Sequence, residues 1–290
     1  MDNKGLSGAI NRKVAIVVAT LGRDREVGRL LESLESQSFQ NFEVIIVDQN
    51  NDRRLKGEID KYRDRLTIQH ISVPEIRGLS RARNIGWRAC SAEIYLFADD
   101  DCWYPSDFLE KALKAFAREQ PHILSGRAAD ETERSINGRF LDNSTWVDAE
   151  TVWITQIEWV VFVRREVLQA IDGYDESLGV GELDGSCEGP DLSLRAFESG
   201  FNQFYDPDIF GHHLEILVSD PTKADFAKAY LYGRGMGAVL RKHKYGTLSL
   251  LNWILRPVAK AVLSLLCLRP RFALLALYTA IGRLRGYFRW

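Results

Sequence analysis

The chain has 290 residues, 46% hydrophobic and 27% charged, which excludes a disordered or fibrous protein and allows one large or two small domains. The net charge is −2, yet no acidic residue follows Asp225, and 12 of the 38 Lys and Arg residues lie beyond it. This basic, apolar C-terminal part predicts contact with an anionic membrane surface rather than with nucleic acid.

The first 127 residues alternate between apolar runs and amphipathic segments. This alternation predicts βαβ units around a mostly parallel sheet flanked by helices. The predicted strands are 14–19, 42–47, 66–71, 94–98 and 123–126. The predicted helices are 26–36, 54–62, 79–89 and 105–118.

Residues 128–225 are less regular, with one predicted strand at 159–163 and a glycine-rich stretch at 173–189. A helix is predicted from Pro190, which suits the first helical position, to Gly200, a typical stop. Four widely spaced cysteines indicate neither a zinc site nor a disulfide framework, which fits a reduced cytoplasmic setting. Residues 1–12 are polar and predict a flexible leader without the apolar core of a signal peptide.

Three adjacent carboxylates, Asp99, Asp100 and Asp101, directly follow the apolar run 94–98. Such groups repel one another and raise each other's pKa unless a cation compensates them. Open α/β sheets bind ligands at the carboxyl ends of their strands, and hard oxygen ligands suit Mg²⁺ or Mn²⁺ with phosphates. The alternative is an acidic turn that caps a helix starting at Pro105.

The turn after the first strand, residues 20–25, has a single glycine, so neither a dinucleotide-binding Gly-x-Gly-x-x-Gly turn nor a P-loop is present. Four ordered motifs then stand out: Val-Ala-Ile-Val-Val-Ala-Thr-Leu-Gly-Arg at 14–23, Val-Ile-Ile-Val-Asp at 44–48, Gly-Leu-Ser-Arg-Ala-Arg-Asn at 78–84, and the acidic triplet. Together they resemble a family 2 glycosyltransferase with a GT-A fold. The resemblance implies a Rossmann-like sheet with a C-terminal helical extension.

The resemblance also implies roles for individual residues. Asp99 and Asp101 would hold a Mg²⁺ or Mn²⁺ ion on the diphosphate of a nucleotide sugar, and Asp48 would contact the base. Donor contacts are also expected from Thr20, Arg23, Arg83 and Asp100. Each has a simpler alternative: Asp48 could cap a turn with Asn50 and Asn51, Arg83 could be a solvated helix residue, and Thr20 a turn residue.

The second half resembles the acceptor side of these enzymes through Gly-Tyr-Asp-Glu at 173–176 and Glu-Gly-Pro-Asp-Leu-Ser-Leu-Arg at 188–195. The family commonly has Glu-Asp-x-Asp-Leu-x-x-Arg here, and its usual base position is Gly189 in this chain. Glu188 is therefore the first candidate for the base and Asp191 the second, because an acceptor hydroxyl must lose its proton as it attacks. Asp191 could instead only favour a helix N-terminus. His212, or else His213, could be a third metal ligand, or the pair could lie at the surface.

The tail contains three apolar blocks, 248–255, 258–268 and 272–281, separated by Pro257 and Pro270. None has 18 uncharged apolar residues, so a spanning helix is not predicted. We predict interfacial helices on the cytoplasmic leaflet, with a dimer interface or packing on the body as alternatives.

These observations predict four segments: 1–12, a nucleotide-sugar half 13–127, an acceptor half 128–225 and a membrane-associated tail 226–290. The expected function is inverting, metal-dependent transfer from a nucleoside-diphosphate sugar, UDP-linked by preference, to a hydroxyl of a saccharide or lipid-linked saccharide in surface polysaccharide assembly. The alternatives are a nucleotidyltransferase, or a non-catalytic saccharide- or nucleotide-binding scaffold.

Overall fold

A computed structural model describes residues 12–290. The predicted leader lies outside these residues, apart from Arg12, which begins the first strand. The strands are β1 Arg12–Thr20, β2 Phe42–Asp48, β3 Ile68–Ser72, β4 Ala92–Asp99, β5 Ile123–Ala129, β6 Thr145–Trp146, β7 Val161–Arg164 and β8 Gln203–His212. The helices are α1 Arg25–Glu35, α2 Lys56–Tyr62, α3 Leu79–Arg88, α4 Phe108–Glu119, α5 Arg165–Ile171, α6 Glu188–Glu198, α7 Lys223–Lys242, α8 Thr247–Leu266 and α9 Pro270–Arg289.

The strands form one mixed sheet in the order β3-β2-β1-β4-β7-β5-β8-β6. The four adjacent strands β3, β2, β1 and β4 are parallel to one another. Strand β7 lies between β4 and β5 and is antiparallel to both. The predicted mostly parallel α/β sheet is therefore confirmed. The strands β6 and β8 and the helix α5 were not predicted, because their residues lack a clear alternation of apolar and polar side chains.

The central strands are long apolar runs because helices cover both faces of this part of the sheet. The side chains of 14–18 on β1 are fully buried, as are those of Leu30, Leu31 and Leu34 on α1. The side chain of Asp24 caps α1 by accepting a hydrogen bond from the Arg25 amide. This packing holds the carboxyl ends of β1, β2 and β4 in fixed positions.

The described chain forms two compact units. The first contains residues 12–77, 82–173 and 196–215 and includes the whole sheet. The second contains Gly78–Arg81, Tyr174–Arg195 and Ile216–Trp290. Residues 174–195 thus cluster with the C-terminal helices, whereas the sequence-based division placed them with 128–173.

Within the second unit, α7 and α9 cross at glycines. A Cβ added to Gly237 of α7 would lie 2.0 Å from the carbonyl oxygen of Arg283 on α9. A Cβ added to Gly286 of α9 would lie 2.0 Å from the carbonyl oxygen of Arg234 on α7. Because these positions have no side chain, the two backbones pack directly against each other. The close packing fixes α9 along α7.

The prediction that Pro257 separates two apolar blocks was wrong, because α8 continues through it for 20 residues. Proline has no amide hydrogen for the carbonyl of Trp253, four residues earlier. The Arg283 guanidinium donates a hydrogen bond to that carbonyl oxygen. A side chain of α9 therefore replaces the missing hydrogen bond, and α8 is long and apolar enough to cross a membrane by length and composition.

Candidate active site

The parallel register places the predicted donor residues at one edge of the sheet. Thr20 pairs with Asp48, and Ala19 pairs with Asp99, each at the carboxyl end of its strand. The carboxyl edge of an open α/β sheet is where ligands bind. The structure therefore brings Thr20, Asp48 and Asp99 together, as the sequence indicated.

Asp48 is 2% exposed, and both of its carboxylate oxygens have partners. Oδ1 accepts hydrogen bonds from the Asn50 amide at 2.9 Å and from Asn50 Nδ2 at 2.8 Å. Oδ2 lies 2.9 Å from Nε2 of His70 on β3. The alternative interpretation of Asp48 as a turn residue is thus partly observed, and His70 is a partner that the sequence did not suggest.

Asn50 also links this turn to the loop after β1. Its Oδ1 accepts a hydrogen bond of 2.7 Å from the amide of Gly22. Gly22 has φ of +88°, a left-handed conformation that favours glycine. The single glycine of the loop therefore serves to turn the chain, after which Arg23 contacts the acidic triplet.

Arg23 is ion-paired with two of the three adjacent carboxylates. Its Nη1 contacts Asp100 and lies 2.6 Å from Oδ2 of Asp101. The third carboxylate has a different partner: Oδ1 of Asp99 accepts a hydrogen bond of 2.9 Å from Nη2 of Arg83. Positive charge thus reaches all three carboxylates from two separate segments.

Arg83 is 1% exposed, so it is not the solvated helix residue of the alternative interpretation. Its place on α3 directs a buried guanidinium at the end of β4. A buried arginine that loses its carboxylate partner leaves an uncompensated charge, which costs about 3–5 kcal/mol. Arg83 and Asp99 therefore form one unit at the end of β4.

The triplet does not cap the next helix, because α4 begins at Phe108 after Asp107. Its three carboxylates differ in pKa. Burial raises the pKa of Asp99, although the charge of Arg83 acts in the opposite direction and lowers it. Burial also raises the pKa of Asp100, to about 6. Burial also acts on Asp101, but the hydrogen bond and charge of His213, with the charge of Arg23, lower its pKa.

The histidine beside the triplet is His213, whereas the sequence favoured His212 as the metal ligand. Nε2 of His213 lies 3.2 Å from Oδ1 of Asp101, and the hydrogen bond to Asp101 raises the pKa of the imidazole. The ring of His212, the last residue of β8, packs 5.6 Å from that of Trp103. Successive side chains at a strand end point to opposite faces, so only one of the two reaches the carboxylates.

In the second unit, Asp191 is fully buried within α6 among three basic side chains. Oδ1 lies 2.8 Å from Nε2 of His243 and 2.9 Å from Nζ of Lys242, and Oδ2 accepts a 2.8 Å hydrogen bond from Nε of Arg195. Burial alone would raise the pKa of Asp191, but His243, Arg195 and Lys242 lower it to about 2. Such a carboxylate is a weak base that holds α6 to α7.

Asp191 should therefore govern stability in acid. Its folded pKa of about 2 lies below the unfolded value of about 3.9, so its contribution of about 2 kcal/mol is complete above pH 4 and lost as the pH falls toward 2. We expect Asp191→Asn to lower the free energy of unfolding at pH 6. The variant should also lack the loss of stability that protonation of Asp191 causes between pH 4 and pH 2. Urea unfolding of both proteins at several pH values measures the difference, and parallel curves would contradict it.

Glu188 is the first residue of α6, two residues before the predicted helix start, and is 4% exposed. Its carboxylate packs against Gly179, where an added Cβ would lie 3.2 Å from Oε2 of Glu188 and 2.9 Å from Oγ of Ser80. Gly179 also has φ of +104°, a left-handed conformation. Glycine is therefore favoured there both by this conformation and by the lack of space for a Cβ. The backbone of this loop thus sets the position of the Glu188 carboxylate.

The fold and the acidic strand ends define a mixed α/β protein with a polar site at the carboxyl edge of its sheet. Residues 15–152 match the model of glycosyl transferase family 2. A glycosyltransferase of Haemophilus influenzae is 36% identical over 110 residues, which cover 38% of this chain and 36% of that protein. The putative glycosyltransferase EpsH of Bacillus subtilis is 29% identical over 120 residues, 40% of this chain and 34% of its own length. The matches thus span about a third of these relatives.

Solved structures share the fold across nearly the whole chain. TarS of Staphylococcus aureus, residues 1–349, superposes with a TM-score of 0.62 at 17% identity, over 96% of this chain and 91% of that one. The mannosyltransferase PcManGT of Pyrobaculum calidifontis, in complex with GDP-Man and Mn²⁺, gives 0.65 at 14% identity, over 96% and 88%. The sheet is of the GT-A type, and residues 15–152, just under half of the chain, carry the similarity to glycosyl transferase family 2.

Proposed function

We propose that this protein transfers a sugar from a nucleoside-diphosphate sugar to a hydroxyl of a saccharide or lipid-linked saccharide, with inversion at the sugar. The observation that carries the proposal is the convergence of Asp48, Arg83 and the acidic triplet at the ends of β1, β2 and β4. The donor complexes of the solved relatives support it, since TarS is known with UDP-GlcNAc and PcManGT with GDP-Man. We propose UDP as the nucleotide of this chain.

Within residues 12–290, no three His, Cys, Asp or Glu side chains already converge as a metal site. The donors beside Arg23 nevertheless fit a divalent cation in type, because Asp99 and Asp101 offer hard oxygens and His213 an imidazole nitrogen. Burial raises the pKa of Asp99 and of Asp100 despite the charges of Arg83 and Arg23, so a further cation at this position would favour their ionised forms. We propose Mg²⁺ or Mn²⁺ on Asp99, Asp101 and His213, with Arg23 moving aside.

Such a cation would stabilise the charge that develops on the departing diphosphate. Arg23 is 40% exposed and close to the same carboxylates, so it is placed to bind a phosphate once the cation occupies them. Arg83 orients Asp99 and favours its ionised form. Asp48 is held rigidly by Asn50 and His70 and would accept a hydrogen bond from the base.

The proposed base is a carboxylate of α6. Inversion in one step requires that the attacking hydroxyl lose its proton as the bond to the sugar forms. Asp191 is occupied by three basic groups and has a pKa of about 2, which leaves Glu188 as the better carboxylate for this step. No covalent intermediate is needed, because the proton passes to Glu188 while the diphosphate leaves from the opposite face.

Thermal melting with UDP, GDP, CDP and dTDP, each with Mn²⁺ or with EDTA, tests the donor site. A ligand that binds only the folded state raises the melting temperature, by RT ln(1 + [L]/Kd) in free energy. We expect UDP with Mn²⁺ to give the largest rise, and EDTA to abolish it. Absence of a shift with every nucleotide would contradict the donor site and favour a scaffold. Release of pyrophosphate from a nucleoside triphosphate would indicate a nucleotidyltransferase instead.

We further propose that the protein works at the cytoplasmic face of a membrane in surface polysaccharide assembly. The absence of acidic residues after Asp225 supports this location, because the inner leaflet is anionic. Transfer assays with a lipid-linked and a free saccharide acceptor test the acceptor class. Equal turnover on both would contradict a lipid-linked acceptor.

A further inference from the structure

Helix α9 buries small residues against α7 and α8 and exposes large apolar ones to the solvent. The buried positions are Ala273, Ala276, Ala280, Gly282 and Gly286. Large apolar side chains recur on the exposed side every three or four residues: Leu274, Leu277, Tyr278, Ile281, Leu284 and Phe288. A helix at the surface of a water-soluble protein has the opposite arrangement, with its large apolar side chains directed inward.

Helix α8 adds to the same apolar character. Its exposed side chains include Leu255, at 57%, and Leu266, at 75%, whereas Pro257 and Ala261 are its buried residues. Arg283 of α9 joins the two helices through the carbonyl of Trp253. We call the exposed side chains of both helices the α8–α9 surface. An exposed apolar region on two adjacent helices indicates an interaction site rather than scattered surface residues.

The charge of these helices indicates the kind of partner. Residues 247–290 contain seven Lys or Arg residues and no Asp or Glu. Arg256, Lys260, Arg269 and Arg285 are exposed beside the apolar side chains. Apolar residues that enter the acyl boundary, next to basic residues that pair with phosphate headgroups, form the pattern of a helix bound in the plane of a membrane.

We propose that the α8–α9 surface docks on an anionic lipid bilayer, with α8 and α9 lying in the headgroup region. The inference deepens and rests on the membrane location proposed above, but it is independent of the transfer reaction because docking requires neither donor nor acceptor. Leucine, isoleucine and phenylalanine side chains would enter the acyl boundary, and the exposed basic residues would contact lipid phosphates. The bilayer would cover the apolar surface that the fold leaves exposed.

In-plane docking fits the structure better than a spanning α8. A spanning helix would place Arg256 and Pro257 at the bilayer centre, with Lys260 one turn away, where each basic residue is costly. Arg283 ties the middle of α8 to α9, and α9 is fixed to α7 by direct backbone contact at Gly237 and Gly286. Insertion of α8 across the membrane would have to break these contacts.

Sedimentation of the full chain with vesicles tests the proposal without any assay of transfer. We expect binding to vesicles of phosphatidylcholine with phosphatidylglycerol, and much weaker binding to phosphatidylcholine alone. The double variant Leu255→Glu and Ile281→Glu should lose at least tenfold in affinity for the anionic vesicles. Leu217→Glu, at a residue that is 79% exposed outside α8 and α9, is the matched control and should bind normally. Circular dichroism melting of each variant verifies its folding.

The charge contribution is measured with Arg256→Gln and Lys260→Gln. Each basic residue near an anionic bilayer contributes about a fivefold factor, so the pair should weaken binding about thirtyfold at low salt. Equal binding to both vesicle types, or unchanged binding of Leu255→Glu and Ile281→Glu, would overturn the proposal. So would retention after alkaline carbonate washing, which indicates a spanning helix. A dimer that fails to bind vesicles and becomes monomeric in the same double variant would identify a second copy as the occupant.

Discussion

Asp101→Asn should reduce kcat/KM for sugar transfer by about 10²–10³-fold, the size of effect seen when one group that stabilises developing charge is removed. The asparagine keeps the volume of Asp101 but removes the charge that pairs with Arg23 and His213. A proposed ligand of the divalent cation is lost at the same time. Initial rates with a UDP-sugar at saturating Mn²⁺ measure the effect.

The same variant should also lose the Mn²⁺-dependent rise in melting temperature with UDP. The matched control is Asp172→Asn, since Asp172 has a side chain that is 87% exposed and pairs with Arg88 on the surface of the same unit. The control should transfer sugar at the rate of the unmodified protein. If Asp101→Asn retained both transfer and the Mn²⁺-dependent shift, Asp101 would not hold the cation.

Glu188→Gln should reduce kcat by about 10²–10⁴-fold, the usual contribution of a general base, while the affinity for UDP with Mn²⁺ stays the same. Glutamine has nearly the same shape as glutamate but does not accept the proton of an attacking hydroxyl. Because Glu188 is buried against Gly179, the isosteric change should preserve the local packing. Single-turnover rates with bound donor measure the chemical step directly.

Asp191→Asn provides the contrast. It leaves Arg195, Lys242 and His243 without a buried carboxylate, so we expect it to lower the free energy of unfolding by about 3–5 kcal/mol. Below its melting temperature, the folded fraction should retain far more turnover than Glu188→Gln. Full turnover of Glu188→Gln together with a loss in Asp191→Asn would reverse the two assignments.

The sequence predicted the sheet well where one physical pattern dominates. Mostly apolar runs of five or six residues predicted β1, β2 and β4, because strands covered on both faces need few polar side chains. The two-residue strand β6 and the bulged strand β8 gave no such pattern, since β8 carries Asp206, Pro207 and Asp208 in its middle. The local sequence around Pro257 predicts a break, because the arginine that compensates for it lies 26 residues further along the chain.

The residues of the candidate site also fall into those that the sequence predicted and those that it missed. The motifs identified Asp48, Arg83 and the acidic triplet, because each directly follows a strand or lies on the helix packed beside it. The choice between His212 and His213 depended on which face of the chain turns toward Asp101 at the end of β8, and no local pattern determines that. His70 and His243 were missed, because single histidines have no distinctive spacing and pair with carboxylates 22 and 52 residues away.

The sequence by itself determined the fold class, the edge of the sheet that carries the acidic residues, and the uneven charge of the C-terminal part. These properties follow from local order along the chain, namely apolar periodicity, the residues that end each strand and the positions of charges. Only the tertiary structure decided which carboxylates are occupied. Asp191 is surrounded by Arg195, Lys242 and His243, and its pKa falls to about 2, because α7 packs beside α6. Likewise, the large apolar side chains of α9 remain exposed because its glycines and alanines are the residues buried against α7 and α8.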